Sequence, residues 1–294
     1  MKRLSSFFFG FLLTGIFGAI FVFVTSCYKT GFDVLSCSLT AQENPTKSQT
    51  NNSDHSDMVQ LPVRLDISTN AVHPHDSRAF TQGLEFHDGV FYESTGRYGE
   101  SKLRRVDVKT GKILQEYALP RQFFGEGMTV FRGKIYQLTW REKTCFVYDQ
   151  KTFQQEKSFP YQGEGWGITN DGTYLIVSNG SAQLRFYKPD NFQLIKTIEV
   201  RDGKKKIEQI NELEYVCGEI WANMLGSNYI VRVNPSNGHV IGWINCTGFV
   251  PKDLSNADNE KVLNGIAFDA VMNRIFITGK CWSALYELQL NFPK

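Results

Sequence analysis

Three features of the 294-residue chain predict an all-β fold assembled from one repeated unit. Short strand-and-turn segments recur five times, aromatic residues are abundant, and no long apolar pattern of helical period follows the N-terminal region. The aromatic fraction of 14%, with 23 Phe, 12 Tyr and 5 Trp, suits strands because flat rings pack well on a pleated surface. The strand runs are Gly89-Val90-Phe91-Tyr92, Gly133-Lys134-Ile135-Tyr136, Thr173-Tyr174-Leu175-Ile176, Gly218-Glu219-Ile220-Trp221 and Asn273-Arg274-Ile275-Phe276. Each follows a turn signal, respectively His87-Asp88-Gly89, Arg132-Gly133, Asn170-Asp171-Gly172, Cys217-Gly218 and Val271-Met272-Asn273. These are residue types that supply the positive φ of tight hairpins.

A second landmark precedes each hairpin: Gln82-Gly83-Leu84, Glu126-Gly127-Met128, Trp166-Gly167-Ile168, Asn211-Glu212-Leu213 and Asn264-Gly265-Ile266, with first members 44, 40, 45 and 53 residues apart. A period in the forties built from four short strands marks the blade of a β-propeller. The outer half of a blade is visible in Leu103-Arg104-Arg105-Val106-Asp107-Val108 and Lys112-Ile113-Leu114-Gln115-Glu116-Tyr117, and again in Phe146-Val147-Tyr148-Asp149, Leu184-Arg185-Phe186-Tyr187 and Ile230-Val231-Arg232-Val233-Asn234. A five-bladed β-propeller over 61–294 is therefore expected. Its fifth blade has strands within 263–279 and at Ala284-Leu285-Tyr286-Glu287-Leu288, leaving it one strand short. Pro62-Val63-Arg64-Leu65-Asp66-Ile67 is the expected fourth strand, which would close the ring and remove exposed sheet edges.

The first 60 residues read differently. Lys2 and Arg3 precede an uncharged apolar run over 7–24, which ends in Val24-Thr25-Ser26-Cys27. Small residues before a cysteine resemble the bacterial lipobox, making Cys27 a candidate lipidation site and residues 1–27 a lipoprotein-type signal peptide. The length of the run leaves an uncleaved membrane anchor as the alternative. Both readings place the rest of the chain outside the cytoplasmic membrane, in the cell envelope and tied to the membrane by a lipid or the anchor. Residues 28–60 are polar and without apolar periodicity, the composition of a disordered tether. Cys37 falls in it, leaving Cys145, Cys217, Cys246 and Cys281 in the repeats. Export permits a disulfide among those four, with buried free thiols the alternative.

Lysine and arginine number 32 against 30 acidic residues, and the net charge of +2 gives no footprint for nucleic acid. No Cys pair has the spacing of a zinc site. The five histidines all lie outside the repeat starts, so no catalytic metal is expected. A hard ion held by channel carbonyls as a structural plug stays open, because backbone ligands leave no trace in sequence. Nothing in the repeat pattern calls for an oligomer, and a monomer is expected.

In a propeller the innermost strands line a central channel, and loops at one end form the binding mouth. Gln82, Glu126, Trp166, Asn211 and Asn264 are thereby expected to converge. Glu126 is the ionisable one. Glycines flank it in Phe124-Gly125-Glu126-Gly127, which is expected to let the backbone bend and leave the carboxyl accessible. Partial desolvation beside aromatic rings would raise its pKa towards neutrality, as proton exchange requires. Glu164, in Gly163-Glu164-Gly165-Trp166, is the second candidate acid. Asn264 is a candidate supporting residue or a turn former, since Asn-Gly is a common hairpin signal. Trp140 and Trp166 can equally be packing between blades.

Seven motifs in register carry a family resemblance: Phe80-Thr81-Gln82-Gly83-Leu84, Phe124-Gly125-Glu126-Gly127, Leu138-Thr139-Trp140, Gly163-Glu164-Gly165-Trp166-Gly167, Asn211-Glu212-Leu213-Glu214, Leu263-Asn264-Gly265-Ile266-Ala267 and Thr278-Gly279-Lys280. Together, over about 76–290, the chain resembles the plant-type glutaminyl cyclases and their bacterial relatives. The resemblance implies a five-bladed propeller and an acyltransferase that closes the N-terminal glutamine of peptides into pyroglutamate with loss of ammonia, with no cofactor required. It implies that Glu126 transfers the proton and that Lys280 steadies charge on the carbonyl oxygen or sets the ionisation of Glu126. Gln82 and Asn211 would orient substrate, and Phe80, Phe124, Trp140 and Trp166 would wall the pocket. Two departures stand out. Ala222-Asn223-Met224-Leu225 has leucine where relatives commonly carry tryptophan, and Lys280 is followed by Cys281-Trp282-Ser283 rather than Trp-Pro. The first would widen the pocket, change which residue is accepted after glutamine or weaken activity, without touching the candidate acid. The rival reading is a non-catalytic propeller tethered to the envelope as a binding module.

Overall fold

The computed structural model describes residues 62–251 and 260–291. The expected signal or anchor with Cys27, and the expected tether, lie outside them. Among the described residues the one helical element is a 3-10 turn, Thr247–Phe249. Everything else regular is β-structure, in the arrangement of a β-propeller-like fold.

Strand β1 (Val63–Pro74) comes first. A four-stranded antiparallel sheet follows, made of β2 (Thr81–His87), β3 (Val90–Thr95), β4 (Lys102–Asp107) and β5 (Ile113–Ala118). The next sheet holds β6 (Gly125–Phe131), β7 (Lys134–Thr139), β8 (Thr144–Asp149) and β9 (Gln155–Pro160). A third holds β10 (Ile168–Asn170), β11 (Leu175–Val177), β12 (Gln183–Tyr187) and β13 (Leu194–Glu199). The short hairpin of β14 (Arg201–Asp202) and β15 (Lys205–Lys206) interrupts the series, with no counterpart in the expected repeat. There follow β16 (Ile210–Val216), β17 (Glu219–Met224), β18 (Tyr229–Val233) and β19 (Val240–Asn245), then β20 (Leu263–Asp269), β21 (Arg274–Gly279) and β22 (Ala284–Asn291). These seven join β1 in one sheet ordered β16-β17-β18-β19-β1-β22-β21-β20.

In the four-stranded sheets burial falls from the first strand to the last, β6 being buried throughout and β9 almost wholly exposed, while in the eight-stranded sheet both end strands, β16 and β20, are buried. The first strands touch one another in closed succession, β2 to β6, β6 to β10, β10 to β16, β16 to β20 and β20 back to β2. The hairpin turns are of the type the sequence signals. Asp88 and Gly89, Arg132 and Gly133, and Cys217 and Gly218 all have φ between 49° and 87°, the primed geometry that matches strand twist.

The expected closing strand is present and longer than its sequence signal. Residues Val63 to Leu65 pair parallel with β19, while Asp66 to Pro74 pair antiparallel with β22. A bulge at Thr69/Ala71 and the polar run Ser68-Thr69-Asn70 break the alternation that would have announced it. Between the sheets lie apolar layers, such as Trp221, Leu65, Ile277 and Trp282 in the eight-stranded sheet. Of the two alternatives for the four repeat cysteines, a disulfide between two of them is ruled out, and buried free thiols hold for Cys145 and Cys246. Cys217 is disulfide-bonded, but Cys145, Cys246 and Cys281 are free, so the bond does not join two of the four. Burial pushes the Cys145 thiol up, and that of Cys246 up to about 12, leaving both as inert packing groups.

Candidate active site

At the same point of the first strand, sheet after sheet, the ladder slips. Register shifts fall between Thr81 and Gly83, Gly125 and Met128, Ile210 and Leu213, and Leu263 and Ile266. The residues skipped include Gln82, Glu126, Asn211 and Asn264. A β-bulge leaves its extra residue unpaired and re-aims the side chain, which is how four separate strands each turn one polar group towards a common place. In the third sheet Trp166 takes this position, immediately ahead of β10, its N–H donating to the Ser178 carbonyl at 3.0 Å.

The glycines beside these residues serve a purpose other than the one their sequence context suggested. Gly125 and Gly127 have no left-handed φ. Instead, a Cβ on Gly127 would lie 2.7 Å from the Trp166 carbonyl oxygen, and one on Gly125 2.7 Å from that of Thr95. They permit close backbone approach, and the Glu126 carboxyl they flank is buried, with the residue 4% exposed. In the fourth repeat Glu212 stands where the others have glycine. Its carboxylate accepts the N–H groups of Leu84 at 3.3 Å and Ile266 at 2.9 Å.

A cavity of about 350 Å³ opens above this ring. Phe80, Gln82, Phe124, Glu126, Trp140, Trp166, Asn211 and Lys280 line it together with Arg97, Leu225 and Glu260. The first eight are the residues singled out in the sequence as catalytic or substrate-binding. Glu164 and Asn264 stand behind the wall. One carboxylate oxygen of Glu164 accepts from both indole N–H groups, Trp140 at 2.8 Å and Trp166 at 3.0 Å. Burial works against its charge, but the indole N–H groups and Arg141 outweigh it and hold the carboxyl below its ordinary value. Glu164 is thus an ionised anchor for two aromatic walls. The apolar side is completed by edge-on contacts of Phe124 with Phe80 and with Trp140, at 6.2 and 5.5 Å between centroids.

Glu126 and Lys280 both line the cavity and each feels the other's charge. Burial drives the Glu126 carboxyl well above its ordinary value; Lys280 counteracts this, and Glu164 and Glu142 add to it. Burial likewise lowers the Lys280 ammonium, with Glu126 pulling the other way. Lys280 is 6% exposed, and its Nζ lies 4.8 Å from the Phe80 ring centroid. Gln82 Nε2 donates to Glu126 Oε1 at 2.9 Å. Asn211 Oδ1 is buried with no hydrogen-bond partner among the described residues, an acceptor left for a ligand N–H. A carboxyl that burial pushes well above its ordinary value, a lysine close enough to oppose that shift and an unused amide acceptor, together in an apolar cleft, form a general acid–base site.

Arg97 and Glu260 were not anticipated. Arg97 Nη2 lies 3.2 Å from Glu260 Oε2, and its guanidinium sits 4.6 Å from the Phe80 centroid. The signal that would have found this side of the cavity is positional. Gly96, Trp140, Leu225 and Lys280 each follow the second strand of a sheet and donate their N–H to the carbonyl of Phe80, Phe124, Gln209 and Val262, respectively. Arg97 is one residue further on. Among the described residues no group of three or more His, Cys, Asp or Glu side chains is arranged to hold a metal ion.

The chain is 36% identical over 231 residues to the glutaminyl-peptide cyclotransferase of Arabidopsis thaliana, a match spanning 76% of this chain and 71% of the relative. The crystal structure of Myxococcus xanthus glutaminyl cyclase superposes with a TM-score of 0.74 at 36% identity, covering 79% of this chain and all of that one. Residues 36–290 match the glutamine cyclotransferase family, and the chain belongs to that family.

Proposed function

We propose that this site converts the N-terminal glutamine of peptides and proteins into pyroglutamate. The α-amine nitrogen bonds to the side-chain amide carbon, the bond from that carbon to the amide nitrogen breaks, and the nitrogen leaves as ammonia. The proton lost by the amine is the one the leaving nitrogen needs, and Glu126 carries it from one to the other. Lys280 steadies the charge that gathers on the carbonyl oxygen. Asn211 and Gln82 orient the substrate amide and amine, while Phe80, Phe124, Trp140 and Trp166 hold the aliphatic part bent so that amine meets amide. Proton transfer and charge stabilisation are both supplied by side chains, so the reaction calls for no cofactor. The observation that carries this reading is the buried Glu126 carboxyl facing a cavity with Lys280 beside it.

We read the sheets as five blades over 61–294, the last two fused through β1. The catalytic unit is an exported monomer held at the cell envelope by residues 1–27, as a lipoprotein or through an anchor, across a tether over 28–60.

Ammonia release from a Gln-x dipeptide by the full chain, with chelator present, tests the reaction. The wild type is expected to turn over, and Glu126→Gln to lose about 10²–10⁴-fold in kcat. A folded wild type silent on several dipeptides would point instead to a propeller that binds without catalysis.

A further inference from the structure

Asn264 does not touch the cavity, yet its position dictates how a hydrogen-bond chain ending on Glu126 must run. It is fully buried in the bulge of β20. Its Nδ2 lies 2.9 Å from the Thr81 carbonyl oxygen and 3.3 Å from Gln82 Oε1. A backbone carbonyl can only accept, so the Asn264 amide is fixed with its nitrogen towards Thr81. That same nitrogen faces Gln82, which must therefore present its oxygen to Asn264 and its Nε2 to Glu126 Oε1, 2.9 Å away. The direction of both side-chain amides follows from one main-chain group.

We propose that Asn264 is a positioning residue that sets the polarity of the Asn264–Gln82–Glu126 chain, so that Glu126 Oε1 always accepts and the transferred proton is carried on Oε2. The proposal rests on Glu126 being the proton carrier. A carboxylate that receives a fixed N–H on one oxygen is favoured in its charged form, and only the other oxygen is left to take and return a proton without breaking the chain. The other groups acting on this carboxyl are Lys280 from the end of β21, Glu164 and Glu142. Tyr98 and Tyr161 are close enough to feel its charge, and Arg97 and Glu260 line the same cavity. Among the described residues the Asn264 side-chain nitrogen donates to the Thr81 carbonyl and to Gln82, not to any of these groups.

The test is the pH dependence of kcat/KM for a Gln-x peptide with the full chain. Asn264→Asp replaces the donor by an acceptor; Gln82 then turns its nitrogen to the new carboxylate and its oxygen to Glu126. The acidic limb is expected to move up by about one pH unit, a roughly tenfold loss of rate below the limb. Gln82→Met, which removes the same N–H donor, is expected to give a similar shift, and Asn264→Asp on top of Gln82→Met to add none. Equal shifts by Asn264→Asp in both backgrounds would mean that the new charge acts on Glu126 directly, and would overturn the proposal. An unmoved limb in Asn264→Asp would overturn it too. If that variant does not fold, Asn264→Ala is read instead: a limb displaced in the same direction supports the proposal, and an unchanged one rejects it. Full activity in Glu126→Gln would remove the underlying proton carrier, a failure distinct from all of these.

Discussion

At the scale of single residues, the chemistry rests on two ionisable groups that burial disfavours and that each partly restore the other's charge. Removing one should be visible in the other. Lys280→Met takes away the positive charge that holds the Glu126 carboxyl down, so the acidic limb of the pH–rate profile is expected to rise. kcat is expected to fall by about 10²–10³, as for loss of one group that stabilises an oxyanion; a pH–rate series measures both. Leu225 lines the cavity and is 38% exposed at its rim. Leu225→Trp is expected to raise KM for peptides with a bulky second residue while leaving Gln-Gly nearly unchanged, which a dipeptide panel would check. Gln82, Glu126, Trp166 and Asn211 were legible because they occupy equivalent positions in a repeat, whereas Phe80, Phe124, Trp140 and Lys280 were legible through the family resemblance of their motifs. Arg97 and Glu260 were not, for different reasons. Arg97 owes its place to a left-handed φ of 82° after Gly96, and Glu260 comes from the connection between β19 and β20, outside the repeat.

At the scale of elements, the register slip in the first strands is what turns a regular sheet into a binding mouth. Turn chemistry made the hairpins readable, because Asp-Gly and Arg-Gly pairs set both the turn and its position. A bulge leaves no such mark: Gln82-Gly83 and Asn264-Gly265 look like strand or turn until the pairing on either side is known. The glycines were readable but their reason was not, since backbone approach between sheets is a property of the assembled ring. A Cβ on Gly167 would lie 2.1 Å from the Asn211 carbonyl oxygen. Gly167→Ala is therefore expected to cost about 1–3 kcal/mol, read by denaturant titration. It should also raise KM, because the strand that must shift carries Asn211. Glu212 depends on the same closeness, bridging β2 and β20 through two main-chain N–H groups.

At the scale of the whole molecule, a group of buried acids outside the Glu126 cavity carries a cost that pH should reveal. Glu85, Glu212 and Glu214 are buried together. Burial raises all three carboxyls, to about 7 for Glu85 and well above the ordinary value for the other two. Glu85 and Glu212 add to the shift of Glu214 by repulsion. A carboxyl raised on folding contributes stability that is complete below its unfolded pKa and is lost as pH climbs through the folded one. Stability is thus expected to decline as pH rises through about 7, with Glu85 alone accounting for something on the order of 3 kcal/mol. Glu85→Gln should flatten the decline, and denaturation midpoints across pH 5–8 would show it. That three acids sit together was not evident from sequence, where Glu85 and the Asn211-Glu212-Leu213-Glu214 motif are more than a hundred residues apart.

The placement of β1 has a further consequence. It lies between β19 and β22, and side chains secure it as well as the ladder: Asn70 Nδ2 donates to Glu287 Oε1 at 2.6 Å, and His73 Nε2 lies 3.2 Å from Glu287 Oε2. Everything this segment does for the last sheet it does from the side, through edges that would exist without it. A chain lacking residues 62–74 would hold a vacant slot of defined register, and a synthetic peptide of that sequence added from outside should dock there and rebuild the enzyme from two pieces.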